Sequence, residues 1–387
     1  MNILLCPLSD PGYLYPSLRV AIELQRRGHT VTLLGNERAA AAAGIAAVDR
    51  IPVDGIGDPI AFLARRWYRG LEQFQAIMRT AASLRPDLLL TSVLCQGALL
   101  AAEVLDVPVV VMGLTVHLWR YQAGAEGEPE VPVERRWREE SMLGLYAQAR
   151  EQAGLAPRRE ALTQQTLIGS GLLLRGHPEL EYPGGVLPAG VHRVGPCLWE
   201  PPADPAEVAD VASALDRVGK PAVYAHLGRT FGGDSLWPRL NAAFTGGRFQ
   251  AVVELGRSGE PRPSSAADVL VVRKPWMGPL IERSELVLTN ATSAPVLAGL
   301  SRGRPLVVAP AGSEQPLLAE ACLRAGVAAR FPQDPGDACA AVLEAARADP
   351  ALRSRAADLA ADLSRMDGDR AADLVEKAPA GDLASVR

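Results

Sequence analysis

The chain of 387 residues is poor in cysteine, carries only a slight excess of negative charge and contains no long apolar run. Its cysteines, Cys6, Cys95, Cys197, Cys322 and Cys339, are odd in number, scattered and without Cys-x-x-Cys spacing. That pattern argues against a disulfide framework or a zinc site and leads us to expect a reduced, cytoplasmic setting. The five read as small buried hydrophobes. A formal net charge of −4 offers no basic field to nucleic acid or to an anionic membrane. The runs Leu88–Leu90 and Val107–Met112 are far too short to span a bilayer. The opening MNILLCPLSDPG lacks a basic leader and a small-residue cleavage site, so it is expected to be a first strand and not a signal peptide. No internal repeat is present, and no low-complexity tract beyond alanine-rich helices.

What is present is a globular pattern, with 48% of residues apolar and a length that suits two cores better than one. The first half alternates strand and helix. Ile3–Cys6 reads as a buried strand, Pro7–Tyr15 as a loop full of breakers, and Pro16–Arg27 as a helix ended by Gly28. Thr30–Leu34, Leu88–Ser92 and Val107–Met112 read as further strands, with a helix around Ala98–Leu105. Such alternation implies a parallel sheet covered by helices, with ligands at the carboxyl edge of its strands. Asp54–Leu84 and Leu118–Ala161 break the rhythm and carry Trp67, Tyr68, Phe74, Trp119, Tyr121, Trp137 and Tyr146. They are expected either to wall a pocket or to pack as ordinary amphipathic helices.

Near Val194-Gly195-Pro196-Cys197 the rhythm stops, and Glu200–Glu207, rich in Pro, Asp and Ala, reads as a linker. A second series follows: Ala222–Leu227, Gln250–Leu255, Val269–Arg273, Leu286–Thr289, Pro305–Ala309 and Val327–Phe331. The tail Ala346–Glu376 reads as helical, broken near Met366-Asp367-Gly368.

Five segments in order carry a resemblance that spans essentially the whole chain. They are LLCPLSDPGYLYPSLRVAIELQRRGHTVTLL, PGGVLPAGVHRVGPCLWEP, PAVYAHLGRT, the stretch Ser284–Phe331, and LRSRAADLAADLSRMDGDRAADLVE. Together they resemble the bacterial nucleotide-sugar-dependent glycosyltransferases that act on small molecules. The resemblance implies an α/β fold of two Rossmann-like doubly wound domains (GT-B) facing a central cleft. It places an acceptor-binding domain at 1–198, a linker at 199–218, a donor-binding domain at 219–350 and helices crossing back at 351–387. It further implies an inverting transfer from a nucleotide sugar to a small hydrophobic or aromatic acceptor. No metal or other cofactor is expected, because helix termini and side chains stabilise the departing diphosphate. Neither nucleic acid nor a membrane span is expected, and a homodimer is left open.

The motifs that carry chemistry in that family are altered here. A His or Asp base belongs in the turn after the first strand, where this chain has Tyr13, a phenol of pKa about 10 and a poor base at neutral pH. A base in reach of the acceptor contributes ~10²–10⁴-fold. The partner Asp belongs near Thr91-Ser92, where there is no carboxylate. Asp10, on the same loop, is the nearest substitute, or else it makes an Asx turn. His117 is a further candidate base, or lines the acceptor site. An acidic phenol, a carboxylate or an amide-like nitrogen as acceptor would need no strong base.

On the donor side the chain reads Asn290-Ala291-Thr292-Ser293-Ala294-Pro295, where the family carries His-Gly-Gly-x-Gly-Thr. Asn290, Thr292 and Ser293 supply donors, with Ser293 also read as a helix N-cap. Glu314 and Gln315 match the acidic-amide pair that holds sugar hydroxyls. Trp276 lies where a nucleobase stacks, or packs in the core. His226, Arg229 and Thr230 line the first donor-domain loop, with Arg229 able to neutralise a phosphate. Two functions stay open: a transferase with unusual base and phosphate groups, or a GT-B protein that binds or otherwise acts on a natural-product ligand without moving sugar.

Overall fold

The computed structural model describes residues 1–48, 67–114, 131–158, 161–181, 187–228, 233–255, 260–312, 314–366, 369–381 and 383, with the backbone alone for 131–138, 233 and 234. Contacts divide the chain into two units. The first comprises Met1–Gly176, Tyr182–Trp199 and Asp367–Arg387, and the second His177–Glu181 and Glu200–Met366.

Among the described residues unit 1 is built on seven parallel strands: β1 (Asn2–Leu5), β2 (Thr30–Leu34), β3 (Ala46–Val48), β4 (Leu88–Ser92), β5 (Val109–Met112), β6 (Gly171–Leu174) and β7 (Val191–Arg193). Their order is β3-β2-β1-β4-β5-β6-β7. The continuous apolar runs suit strands covered on both faces. Ile3, Leu5, Leu88 and Leu90 enter one cluster, and Leu4 and Leu89 another, as period-2 alternation requires. Helices α1 (Pro11–Arg26), α2 (Glu37–Ala43), α3 (Leu71–Leu84), α4 (Gln96–Leu105), α5 (Val131–Gln152) and α6 (Gln164–Ile168) connect the strands.

The start of α1 corrects the expectation of a loop to Tyr15. The helix begins at Pro11, with Asp10 as its cap accepting from Gly12 N at 3.0 Å. Pro16 is therefore interior, where it lacks an N–H for the carbonyl of Gly12. The buried Arg175 takes over: its Nη2 donates to Gly12 O at 3.3 Å and its Nε to Gly113 O at 3.2 Å. Within the first aromatic-rich insertion, Trp67 is a core residue and Tyr68 is exposed, and Tyr146 of the second is buried. Trp119 and Tyr121 lie outside the described residues, as does the side chain of Trp137.

Unit 2 holds six parallel strands, β8 (Ala222–His226), β9 (Gln250–Glu254), β10 (Val269–Val272), β11 (Ser284–Thr289), β12 (Leu306–Val308) and β13 (Ala328–Arg330), in the order β10-β9-β8-β11-β12-β13. Its helices are α7 (Pro205–Val218), α8 (Gly233–Phe244), α9 (Gly278–Glu282), α10 (Ser293–Leu300), α11 (Gln315–Arg324), α12 (Asp337–Ala348) and α13 (Pro350–Arg365). Most of the segment read as a linker is thus the helix α7. Asp204 caps it by accepting from Ala206 N at 2.9 Å, Pro205 opens it, and Gly219 closes it in the left-handed region. The same Asp-Pro pair that suggests a linker by composition is a helix start by geometry. Glu200 is anchored to unit 2, accepting from Met277 N at 2.8 Å and Gly278 N at 3.0 Å. Burial pushes its carboxyl above the usual carboxylate range.

The tail divides between the units, with α13 in unit 2 and α14 (Asp369–Lys377) in unit 1. Ala371, Leu374 and Val375 of α14 complete the apolar cluster around α1. Arg27 Nη1 meets Asp373 at 2.6 Å and Glu376 at 2.9 Å, and His29 Nε2 lies 2.8 Å from Glu376. All five cysteines are buried thiols outside any disulfide, and no helix among the described residues is long and apolar enough to cross a membrane.

Candidate functional site

The turn between β11 and α10 lies at the carboxyl edge of the unit 2 sheet, beside the central strand β8. It is shaped by local hydrogen bonds. Thr289 Oγ1 accepts from Ala291 N at 3.1 Å, and Asn290 Oδ1 from Thr292 N at 3.4 Å and Thr292 Oγ1 at 3.2 Å. Ala291 is buried in the left-handed region at φ 64°, a conformation that costs an alanine about 1–2 kcal/mol. The N-cap of α10 is Thr292 and not Ser293, and Thr292 makes no side-chain cap bond because its hydroxyl is turned to Asn290. Two polar atoms are left over. Among the described residues, Asn290 Nδ2 and Ser293 Oγ are both buried without a hydrogen-bond partner, in residues 2% and 5% exposed. The first amides of α10 also lack intrahelical acceptors, as in any helix start. Gly299 lets α10 press onto the sheet, since a Cβ there would meet Val287 Cγ2 at 3.0 Å.

Several of the other residues at this edge are already committed to contacts within the chain. His226 is committed: Nε2 is 3.1 Å from Glu254 Oε2, and Nδ1 accepts from Gly228 N at 3.2 Å. Gln315 Oε1 accepts from Ala311 N at 2.9 Å and Gly312 N at 3.3 Å, which braces the loop before α11. Glu314 is the N-cap residue of α11, half-buried, and makes no cap bond. Trp276 is 2% exposed, so its ring faces are covered by the protein's own atoms and present no stacking platform in this structure. Arg229 and Thr230 lie outside the described residues.

In unit 1 the carboxyl edge brings Asp10 and Tyr13 together at the first turn of α1. Asp10 uses Oδ1 as the helix cap, and Tyr13 is half-buried against two apolar clusters, one around Leu89 and one around Val111. Thr91 and Ser92 are held by backbone contacts: Thr91 Oγ1 donates to Cys6 O at 2.9 Å, and Ser92 Oγ accepts from Leu8 N at 3.1 Å. His117 lies outside the described residues. A cavity of ≈20 Å³ opens at this edge between Val93, Gln96, Met142 and Leu167, room for one water-sized group. The carbonyl Oε1 of Gln96 is buried there without a partner.

Three residues with structural weight at these edges are not singled out by sequence reading: Glu254, Arg175 and Gln96. Glu254 and Arg175 each follow an apolar strand run, in QAVVE and GLLLR, and a charge in that place is the signal that points to them. Gln96 has no such signal.

No protein-family model and no curated protein matches the chain. Solved structures do. The glycotransferase of kitacinnamycin is 22% identical with a TM-score of 0.74, covering 97% of this chain and 98% of its own. The glycosyltransferase VinC, solved in complex with dTDP, is 16% identical with a TM-score of 0.69, covering 98% and 100%. The spinosyn rhamnosyltransferase SpnG, solved with the spinosyn aglycone, is 20% identical with a TM-score of 0.66, covering 97% and 99%. With its two parallel sheets in two units, the chain has the GT-B fold of these bacterial natural-product glycosyltransferases.

Proposed function

We propose that the chain is an inverting, metal-independent glycosyltransferase that moves a sugar from a nucleoside diphosphate to a small hydrophobic or aromatic natural product. The observation that carries the reading is the pair of unpartnered buried groups, Asn290 Nδ2 and Ser293 Oγ, at the start of α10. An unsatisfied buried donor costs about 1–3 kcal/mol. A diphosphate, with several acceptor oxygens, meets the amide, the hydroxyl and the open helix amides at once, and the helix dipole favours its charge. The neighbour VinC was solved with dTDP, which makes thymidine diphosphate the first nucleotide to try.

In this reading the acceptor oxygen attacks the anomeric carbon on the face opposite the leaving diphosphate, inverting the configuration. As the bond to the diphosphate breaks, charge grows on its oxygens, where Asn290, Ser293 and the α10 amides stabilise it. Glu314 accepts hydrogen bonds from the sugar hydroxyls and the Nε2 end of Gln315 donates to them. Asp10 is the acceptor-side base in reach of the Tyr13 turn, with Tyr13 and His117 as the other candidates. An acceptor that already loses its proton readily relieves all three of that task.

A second reading, a GT-B protein that binds a natural product without transferring sugar, is favoured by the commitment of Thr91 and Ser92 to backbone contacts where a carboxylate would orient the base. Calorimetry with dTDP, UDP and GDP separates the two. Millimolar or tighter binding of one of them, lost in Asn290→Ala, supports the transferase. No heat with any of the three, in a chain that still binds an apolar aglycone, selects the second reading.

A further inference from the structure

Glu254 closes β9 with its carboxylate 4% exposed, in a strand otherwise apolar after Gln250. Among the described residues it meets only Tyr224 Oη, which donates at 3.3 Å, and His226 Nε2 at 3.1 Å. A buried carboxylate is costly to keep unless donors face it. The register explains how these come together: Tyr224 pairs with Val252 and His226 with Glu254 across neighbouring parallel strands, so Tyr224 and His226 share a face with Glu254.

The imidazole is read by its partners. Nδ1 accepts the Gly228 N–H at 3.2 Å and so carries no proton, while Nε2 carries the ring proton and donates it to Glu254. Neither nitrogen is left to act on a substrate, so this is not the absent base moved to the other unit. What the ring does hold is backbone. It bridges from residue 226 to the amide of Gly228, which stands in the left-handed region at φ 77°. His226 also pairs in register with Thr289, the residue before the Asn290 turn. The Leu227–Gly228 turn therefore leaves the sheet edge next to the unpartnered Asn290 and Ser293.

We propose that His226 and Glu254 are a positioning pair: the carboxylate fixes the tautomer and orientation of the imidazole, and the imidazole fixes the Leu227–Gly228 turn as one wall of the diphosphate site. The diphosphate part rests on the transferase reading. The pair itself does not.

Two measurements test it on the full chain. The first is independent of any ligand: hydrogen exchange of the Gly228 amide, with nitrogen-15 correlation of the His226 ring. The ring is the neutral Nε2–H tautomer, and Gly228 protection falls at least about tenfold in His226→Ala and Glu254→Ala. His226→Asn, whose Oδ1 takes the place of Nδ1, and Glu254→Gln, whose Oε1 still accepts from Nε2, keep that protection within about threefold. The second is dTDP affinity by calorimetry, which weakens about tenfold in the two alanine variants and recovers in Glu254→Gln. Unchanged Gly228 protection in His226→Ala, or a Glu254→Gln chain that melts like the wild type yet loses the tautomer, overturns the pair. If the alanine variants do not fold, the Asn and Gln variants and the wild-type tautomer decide. A wild type that binds none of the three nucleotides sinks the transferase reading, and the exchange and tautomer measurements still judge the pair.

Discussion

Ser293 and Asn290 hold polar atoms in a place where the ligand-free chain gains nothing from them. Removing an unsatisfied buried hydroxyl spares its desolvation cost, so Ser293→Ala should melt no lower than the wild type and gain up to about 1–3 kcal/mol. The same change should weaken dTDP binding about tenfold, which calorimetry reads directly. A variant that loses stability and keeps affinity would make Ser293 an ordinary core residue. Ala291 is the complementary case. Glycine there relieves left-handed strain of about 1–2 kcal/mol and returns about 0.4–1 kcal/mol to the freedom of the unfolded chain. Ala291→Gly should therefore shift the melting temperature by only a few degrees while admitting an anion closer to the backbone, with severalfold tighter dTDP binding. Weaker binding would show that the methyl group is itself part of the site.

Among the elements, α1 is held from two directions. Arg175 supplies the donor that Pro16 takes from the helix, reaching Gly12 across a separation of 163 residues. Replacing it by methionine keeps the bulk and leaves the carbonyls of Gly12 and Gly113 without that donor, at about 1–3 kcal/mol each. Hydrogen exchange of the peptide covering 8–16 should rise in Arg175→Met, and an unchanged first turn would mean that solvent replaces the arginine. At its other end α1 is tied to α14. Glu23 accepts from Arg26 and Arg27, and Arg27 reaches on to Asp373 and Glu376. Hydrogen bonds from these two arginines hold the Glu23 carboxyl down from 4.5 to about 2, and His29 foremost, with Arg27, lowers Glu376. A depressed carboxylate pKa means stability that is present above the unfolded value and lost as pH falls through the folded one. Docking of α14 should thus weaken between about pH 4.5 and 2, a change visible in exchange of residues 369–377. Glu23→Gln should flatten that profile, and an identical profile in the variant would assign the acid sensitivity to other groups.

For the whole molecule, a ligand that binds only the native state stabilises it by about 2.7 kcal/mol at a hundred times its Kd. Added dTDP at that excess should slow exchange in the peptides of unit 2 that flank the turn, 284–300 and 222–228. Protection confined to residues 1–176 would place the nucleotide elsewhere. The strands that bracket the turn were legible as runs of Val, Leu and Ile, and their alternation with helices was enough to expect two parallel sheets. β3, β6 and β7 were not: β12 and β13 are as short, but they stand in a regular strand–helix series, whereas β3, β6 and β7 border stretches where that rhythm breaks. Helix starts misled where proline has two meanings: Pro16 reads as a beginning and is an interior residue, while Asp204-Pro205 reads as a linker and is a beginning. At the site, the identity of Asn290 and Ser293 was plain from the chain, but their lack of partners was not.

The order of apolar runs and turns by itself determined that this protein forms parallel sheets covered by helices, with their loops gathered at the carboxyl edges. Burying both faces of a parallel strand demands such runs and leaves few alternatives. Only the tertiary structure decided which polar groups at those edges are spent and which are spare. Parallel register sets Glu254 against His226 and Thr289 beside it, while the Thr292 hydroxyl turns toward Asn290. Hydrogen bonds between side chains depend on distances of a few tenths of an ångström between residues remote in the chain, and no local pattern encodes those distances.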